Sequence, residues 1–488
     1  MIRAAALAGA LSIGLAAMRL PAQAGEEAHA HWTVTTTDPK AQALFDRGLA
    51  MLYAFDVGEA RVAFGQAAQR DPDLAMAYWG MAEADTIDIN EPSTPEGEKR
   101  GRAAVGKARA HESHASAEER ALIAAIVKRY AKGSKQEKFA RYADELRAFA
   151  KTNRDEPNAL VVTGFAIYTA EAELLDAKDA LTPKAREMLD DLDRALVLEP
   201  TNLGAHHLRI HLLENAKRAK EAVPDADALS SYTYPPGESH LPHMAGHIWT
   251  RTGDFDRLIA DNQEAVANDR AWFALGDGPG QQYMRTYHDH DLDFVLYGLT
   301  TVGRDDDARA LAKDEDAGMR ATLALRLHDN KAVLADPSAS DFQRAVAAAR
   351  SGDAVKARAA LAKIEVTDPV RRDLVDAALA LRAKDLEAGA AAYARAYGKT
   401  KTSYPGDPKT YWATPVGEGY GAALLSAAKP AEAEAVFTAE LLRFPNDPRL
   451  EWGLAEALTA QHKDDAAPRA AYHAHWKGSA DLTLDRLG

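Results

Sequence analysis

The chain has 488 residues, 47% of them apolar, a formal charge of −14 and no cysteine. That apolar content is ample for a large core or for two to three ordinary domains. The acidic balance, with no basic stripe, argues against nucleic acid and anionic membranes as partners, and the lack of cysteine excludes disulfides and thiolate metal sites.

Residues 1–24 read as a secretory signal peptide. Arg3 gives a basic start, 4–17 is a small-apolar run, and Ala22-Gln23-Ala24 has the A-x-A form of a cleavage site. The run is too short to cross a bilayer, and no later stretch reaches about 18 uncharged apolar residues. No membrane span is therefore expected, and the mature chain is expected to be periplasmic or secreted. Residues 25–40 form a polar, β-tending lead-in with His29 and His31. An H-x-H near a free N-terminus can bind copper or zinc, although a mobile arm is the plainer reading.

From Ala41 the pattern turns helical and repeats. Set against a 34-residue tetratricopeptide (TPR) scheme, Gly48, Ala60, Phe64, Ala67 and Pro72 fall at positions 8, 20, 24, 27 and 32, and Tyr78 takes position 4 of the next unit. Small residues let paired helices approach, aromatics fill the gap, and proline ends the pair. Residues 89–100 read as a polar loop. Helices resume at Gly101, with His111 and His114 at a helix boundary. A further pair spans 158–175 and 183–198 and is closed by Pro200. Later, Gly352, Ala357 and Pro369 fit positions 15, 20 and 32, and Gly421, Ala433, Phe437 and Pro445 fit 8, 20, 24 and 32. Alanine is abundant and β-branched alternation scarce, so almost no sheet is expected. The expected fold class is all-α: a TPR-like α-solenoid, a right-handed superhelix of antiparallel helix pairs. It occupies 41–335 around a central His-rich groove and continues through C-terminal repeats over 336–488.

Half of the sixteen histidines lie between Leu203 and Tyr297. With Pro200 at position 32, His207 and His211 take positions 5 and 9 and Glu214 position 12. Gly253 at position 15 places His240, His243 and His247 at positions 2, 5 and 9. Gly303 and Ala308 start the third unit at Asp289, so His290 is position 2 and Asp293 position 5. In tetratricopeptide repeats these positions line the concave groove, so six histidines and two carboxylates are expected to face one another. His206 and His288 fall off that face. Spacings of three, four and seven residues keep the ligands of one helix on one side.

Two histidines at i and i+4 can share a transition ion, and a third from the next helix closes a facial set. The expected ion is zinc, copper or iron. Six histidines leave room for two metals, or for free imidazoles that move protons near pH 7. If the chain is an enzyme, metal-assisted hydrolysis or oxidation is the natural class, with Glu214 or Asp293 as base or as a carboxylate orienting an imidazole. The alternative is a metal-free TPR scaffold whose groove recognises a small molecule, a peptide or a protein partner.

Other motifs carry less. Residues 289–294 alternate carboxylates like a calcium loop but lack its glycine and distal glutamate. The glycine-rich 276–283 segment reads as a connecting loop, with a lid beside the site as the other option. The C-terminal His473-Ala474-His475-Trp476 echoes the N-terminal H-x-H-W without an evident mechanism.

The segments YAFDVGEARVAFGQAAQRDPDLAMAYWGMAEA, GAHHLRIHLLE, SHLPHMAGHIWTRTGDF and YHDHDLDF resemble a family of bacterial tetratricopeptide proteins related to eukaryotic tetratricopeptide repeat protein 38. YWATPVGEGYGAALLSAAKPAEAEAVF and FPNDPRLEWGLAEAL extend the likeness over most of the mature chain. Members show an H-Y-x-x-H-like pair, here His207 and His211, and an H-x-x-H-M-x-x-H-I run, here His240, His243 and His247. A Y-x-x-H-N-like segment matches Tyr287 and His290. Asp291 stands where asparagine is usual, Asp293 where a second histidine is common, and Ala245-Gly246 replaces a Pro-Ser pair. The resemblance implies the fold and the site but names no reaction.

Overall fold

The computed structural model describes residues 29–86, 94–171, 173–176, 180–214, 218–276, 281–364, 368–401 and 411–488, with 281–286 described by backbone alone. The expected leader, its cleavage site and residues 277–280 lie outside the described residues.

Helix starts follow local chemistry. Asp38, Asp56, Asn202 and Asp254 each accept a backbone N–H of the first turn through the side chain. Ser116 with Glu119, Ser134 with Glu137 and Ser340 with Gln343 form complete capping boxes. The described residues hold 24 α-helices, and the only strand-like feature among them is an isolated bridge between Leu175 and Leu181.

Successive helices pack as antiparallel hairpins through the device that the repeat positions predicted. Phe64 sits between Gly48 and Gly80, where an added Cβ would come within 2.7 and 2.6 Å of its ring. Near the other end Phe437 is wedged between Gly421 and Gly453 in the same way. Any side chain at these glycines would push the helices apart. The fold is therefore an all-α, TPR-like solenoid. Its largest apolar cluster runs from Ala30 to Leu323 and includes Trp412; smaller clusters cover Ala321 to Val375 and Val370 to Leu487.

Several local expectations need correction. The polar loop ends earlier than Arg100, because a helix runs Pro95–Ala110. Thr94 accepts the Gly97 N–H at 3.0 Å, Pro95 suits the first turn, and Glu96 and Glu98 complement the helix dipole. The helix expected over 158–175 stops at Ala170. From residue 29 onward the lead-in is no mobile arm: Ala30, Trp32 and Val34 alternate into the core, and Trp32 meets Trp79 edge-on at 5.8 Å. His31 is held by Asp46 at 2.7 Å and Thr33 at 3.1 Å, so both ring nitrogens are engaged. The third histidine helix spans Gln281–Thr301 and thus starts well before Asp289, taking in the end of the supposed loop.

Candidate metal centre

The first histidine helix, Leu203–Leu213, is drawn tightly onto its neighbours by Gly204. A Cβ there would lie 2.7 Å from Val161 and 2.8 Å from Tyr53. This approach sets His207 beside the end of the Pro39–Tyr53 helix, where the last carbonyls lack intrahelical partners. The Tyr53 carbonyl accepts from His207 Nδ1. Two residues on, Phe55 adopts φ 60° and is 1% exposed. Glycine is the usual residue in that left-handed position. Here the ring packs on His207, His211 and His240, with centroids at 4.3, 5.5 and 5.5 Å.

The second histidine helix, His240–Thr252, carries Gly246 where Asn262 of the Phe255–Phe273 helix presses in. Asn262 donates to the Leu258 carbonyl at 2.9 Å, which turns its amide oxygen toward His243. His243 Nδ1 donates to that oxygen at 2.7 Å. In the third helix Phe294 takes the role of Phe55. Its ring lies 4.7, 5.0 and 5.0 Å from His243, His247 and His290.

The six histidines thus assemble as two trios, where a single shared hollow was expected. His207, His211 and His240 form one; His243, His247 and His290 form the other; within each, the candidate ligand atoms all lie within 4.8 Å of one another. Each trio takes two imidazoles at i and i+4 from one helix and one from the next histidine helix, His240 at the start of its helix and His290 midway along its own. The trios adjoin, with His240 and His243 rings 5.8 Å apart and His211 and His247 rings 6.3 Å apart. They are also less open than a groove wall: His207 and His243 have no exposed surface.

Nitrogen bookkeeping reveals the chemistry. Nε2 of His207, Nε2 of His211 and both ring nitrogens of His240 are buried without a hydrogen-bond partner. In the second trio His243 and His247 point Nε2 at one another across 3.0 Å. Asn262 fixes the proton of His243 on Nδ1, and the Glu214 carboxylate lies 2.7 Å from His247 Nδ1. With its proton on Nδ1, His243 presents an Nε2 lone pair to His247 Nε2, so the two nitrogens can share either a proton on His247 or a cation. Burial pushes His207, His240 and His243 well below the ordinary imidazole range, and the neighbouring histidines add to it. A proton is thus disfavoured there, while neutral imidazoles suit a metal ion.

The two sequence-predicted carboxylates part company. Burial raises Glu214, but His247 and His211 outweigh it and hold the acid well below its usual range. It leans on His247 and lies 3.9 Å from His211 Nδ1, so it touches one member of each trio. Asp293 instead accepts from Trp412 Nε1 at 3.2 Å, and burial pushes it up to about 6. Its neighbour Asp291, fully buried, lies 2.9 Å from His243 Nδ1. Burial and the adjacent Asp269 raise Asp291 well above the carboxylate range. Sequence reasoning missed Phe55, Asn262, Asp291 and Phe294. Of these, only Asp291 carried a signal, as a departure from the family's asparagine.

The two other histidines of this stretch have protein partners. His206 is held by Asp225 at 2.8 Å and the Pro200 carbonyl at 2.9 Å, and His288 by Asp269 at 3.1 Å and Glu315 at 3.2 Å. His475 meets Glu451 at 2.9 Å. The adjoining Trp476 covers Gly303, and the Lys477 N–H reaches the Val302 carbonyl at 2.7 Å. The C-terminal histidine motif thus lies where the chain end packs on the third histidine helix.

No family model matches this sequence, and no curated protein sequence matches it. Among solved structures, the TPR domain of P58(IPK) is 15% identical, covering 86% of this chain and 98% of that one, with a TM-score of 0.24. Yeast Tom70 is 11% identical, covering 87% and 90%, with a TM-score of 0.22. Likeness this loose carries no inference about function, and the fold rests on the hairpin packing described above.

Proposed function

We propose that this chain is an exported transition-metal protein whose two histidine trios each can hold an ion. The observation that carries this reading is the facing pair of Nε2 atoms of His243 and His247, with Asn262 on Nδ1 of the first ring and Glu214 beside Nδ1 of the second. Ligand nitrogens about 2.0–2.1 Å from a common tetrahedral zinc ion sit roughly 3.3–3.4 Å apart, so the 3.0 Å pair needs to open by only a few tenths of an ångström. The unpartnered nitrogens of His207, His211 and His240 fit the same chemistry. Zinc, copper and iron all accept imidazole, and the donor set holds no thiolate to choose between them.

An ion on three imidazoles keeps a position for water or a substrate, the arrangement of hydrolytic and oxidative metal sites. Glu214, set against His247, orients that ring and raises its basicity; it is a positioning residue before it is a base. Export through the 1–24 leader and kinship with the bacterial relatives of tetratricopeptide repeat protein 38 are part of the same reading, supported by the leader pattern and the histidine motifs.

Elemental analysis of protein purified without a histidine tag tests it. About one or two ions per chain are expected, lost on combined His207→Ala and His243→Ala substitution. Metal-free protein whose stability ignores chelators would instead favour a scaffold that binds peptides or protein partners.

A further inference from the structure

We infer that the two trios are unequal: the first ion enters the His243, His247 and His290 trio, and a second, more weakly held and exchangeable, enters the His207, His211 and His240 trio. This rests on the metal-binding reading above and goes beyond it in assigning order and exchange.

The difference lies in what stands behind the imidazoles. In the second trio, His243 Nδ1 is flanked by Asn262 Oδ1 at 2.7 Å and an Asp291 carboxyl oxygen at 2.9 Å, and His247 Nδ1 by Glu214 at 2.7 Å. Groups in such places fix the tautomer, hold the ring in its pose and make it a better donor; each typically changes metal affinity by about 10–100-fold. In the first trio only His207 is anchored, and by a neutral carbonyl. His211 stands 3.9 Å from Glu214, and His240 has no hydrogen bond on either nitrogen. Two of its three imidazoles must therefore be ordered by the ion itself, which weakens binding.

Charge works the same way. Glu214, held ionised, lies 2.7 Å from His247 of the second trio and 3.9 Å from His211 of the first, while burial keeps Asp291 protonated. An ion seated in the second trio then repels another across adjoining rings. Glu214 lies within 4 Å of an imidazole of each trio, so it couples them. The first trio is consequently where an exchangeable ligand, water or substrate, meets metal.

Titration of untagged, metal-stripped protein with zinc ions, against a competing chelator of known affinity, tests this. Two steps are expected, at least about tenfold apart. His207→Ala removes only the weak step, and His243→Ala removes the tight one. Glu214→Gln weakens the tight step about 10–100-fold and keeps both ions, a result that a purely structural role would not give. The wild-type curve is decisive even if a histidine variant fails to fold. Two equal steps, a single step, or loss of the tight step in His207→Ala would overturn the inference while leaving metal binding intact. No binding at all would remove the underlying reading itself.

Discussion

At the scale of residues, the site is built from imidazoles kept neutral by burial. Protonation therefore occurs in the unfolded chain near the ordinary histidine value of about 6.5, and only at much lower pH in the folded one. His207, His240 and His243 contribute their full stability above that value and lose it as pH falls below. Glu83 and Asp56, each raised by burial to about 7, oppose this, because their protonated forms favour the fold as pH falls. A difference measurement separates the two. In metal-free protein, the stability of His240→Leu relative to wild type should improve below pH 6.5, by up to about 1.4 kcal/mol per pH unit. Chemical denaturation at pH 8, 6 and 5 would show it, and a constant difference would mean that His240 is not buried as a neutral ring. A second residue-scale expectation concerns Asn262. Asn262→Leu removes the acceptor that fixes the His243 tautomer, and should lower zinc affinity about 10–100-fold while the helical circular dichroism spectrum stays unchanged.

Elements explain why those residues meet. Gly246 admits Asn262 to the second histidine helix, so Gly246→Val should displace it, costing about 1–3 kcal/mol in thermal or chemical unfolding together with part of the metal affinity. Phe55 closes the first trio from a backbone conformation that ordinarily calls for glycine. Phe55→Gly relieves the left-handed strain of about 1–2 kcal/mol but removes an aromatic buried against three imidazoles, worth about 3–5 kcal/mol. A net loss of stability is expected; a gain would mean the ring packs poorly. The histidine register was legible in sequence because repeat positions 2, 5 and 9 recur through purely local spacing. Asn262, Phe55 and the Tyr53 carbonyl were not legible. Their roles depend on the approach of chain segments 19 to 185 residues away from the imidazoles they serve. The early start at Pro95 was readable, since Thr94-Pro95 with acidic residues behind it is a helix-opening signal.

Across the whole molecule, the C-terminal repeats fold back onto the third histidine helix. Trp412 donates to Asp293, Trp476 packs over Gly303, and Arg326 and Arg449 share the buried Glu418. The hairpin stack was foreseeable from repeated glycine and phenylalanine positions; this return contact was not, because no periodicity encodes it. The histidine trios lie within the largest packed core, so binding there should stabilise the fold as a unit. Free metal at about a thousand times its dissociation constant adds about 4 kcal/mol per ion. The account's central claim, that buried imidazoles converge on ions, is met most directly by X-ray absorption at the metal edge of zinc-loaded, untagged protein. It predicts about three nitrogen ligands per ion, near 2.0–2.1 Å, with imidazole scattering beyond. A shell of oxygen ligands without that imidazole signature, or loss of all bound zinc on simple dialysis, would contradict it.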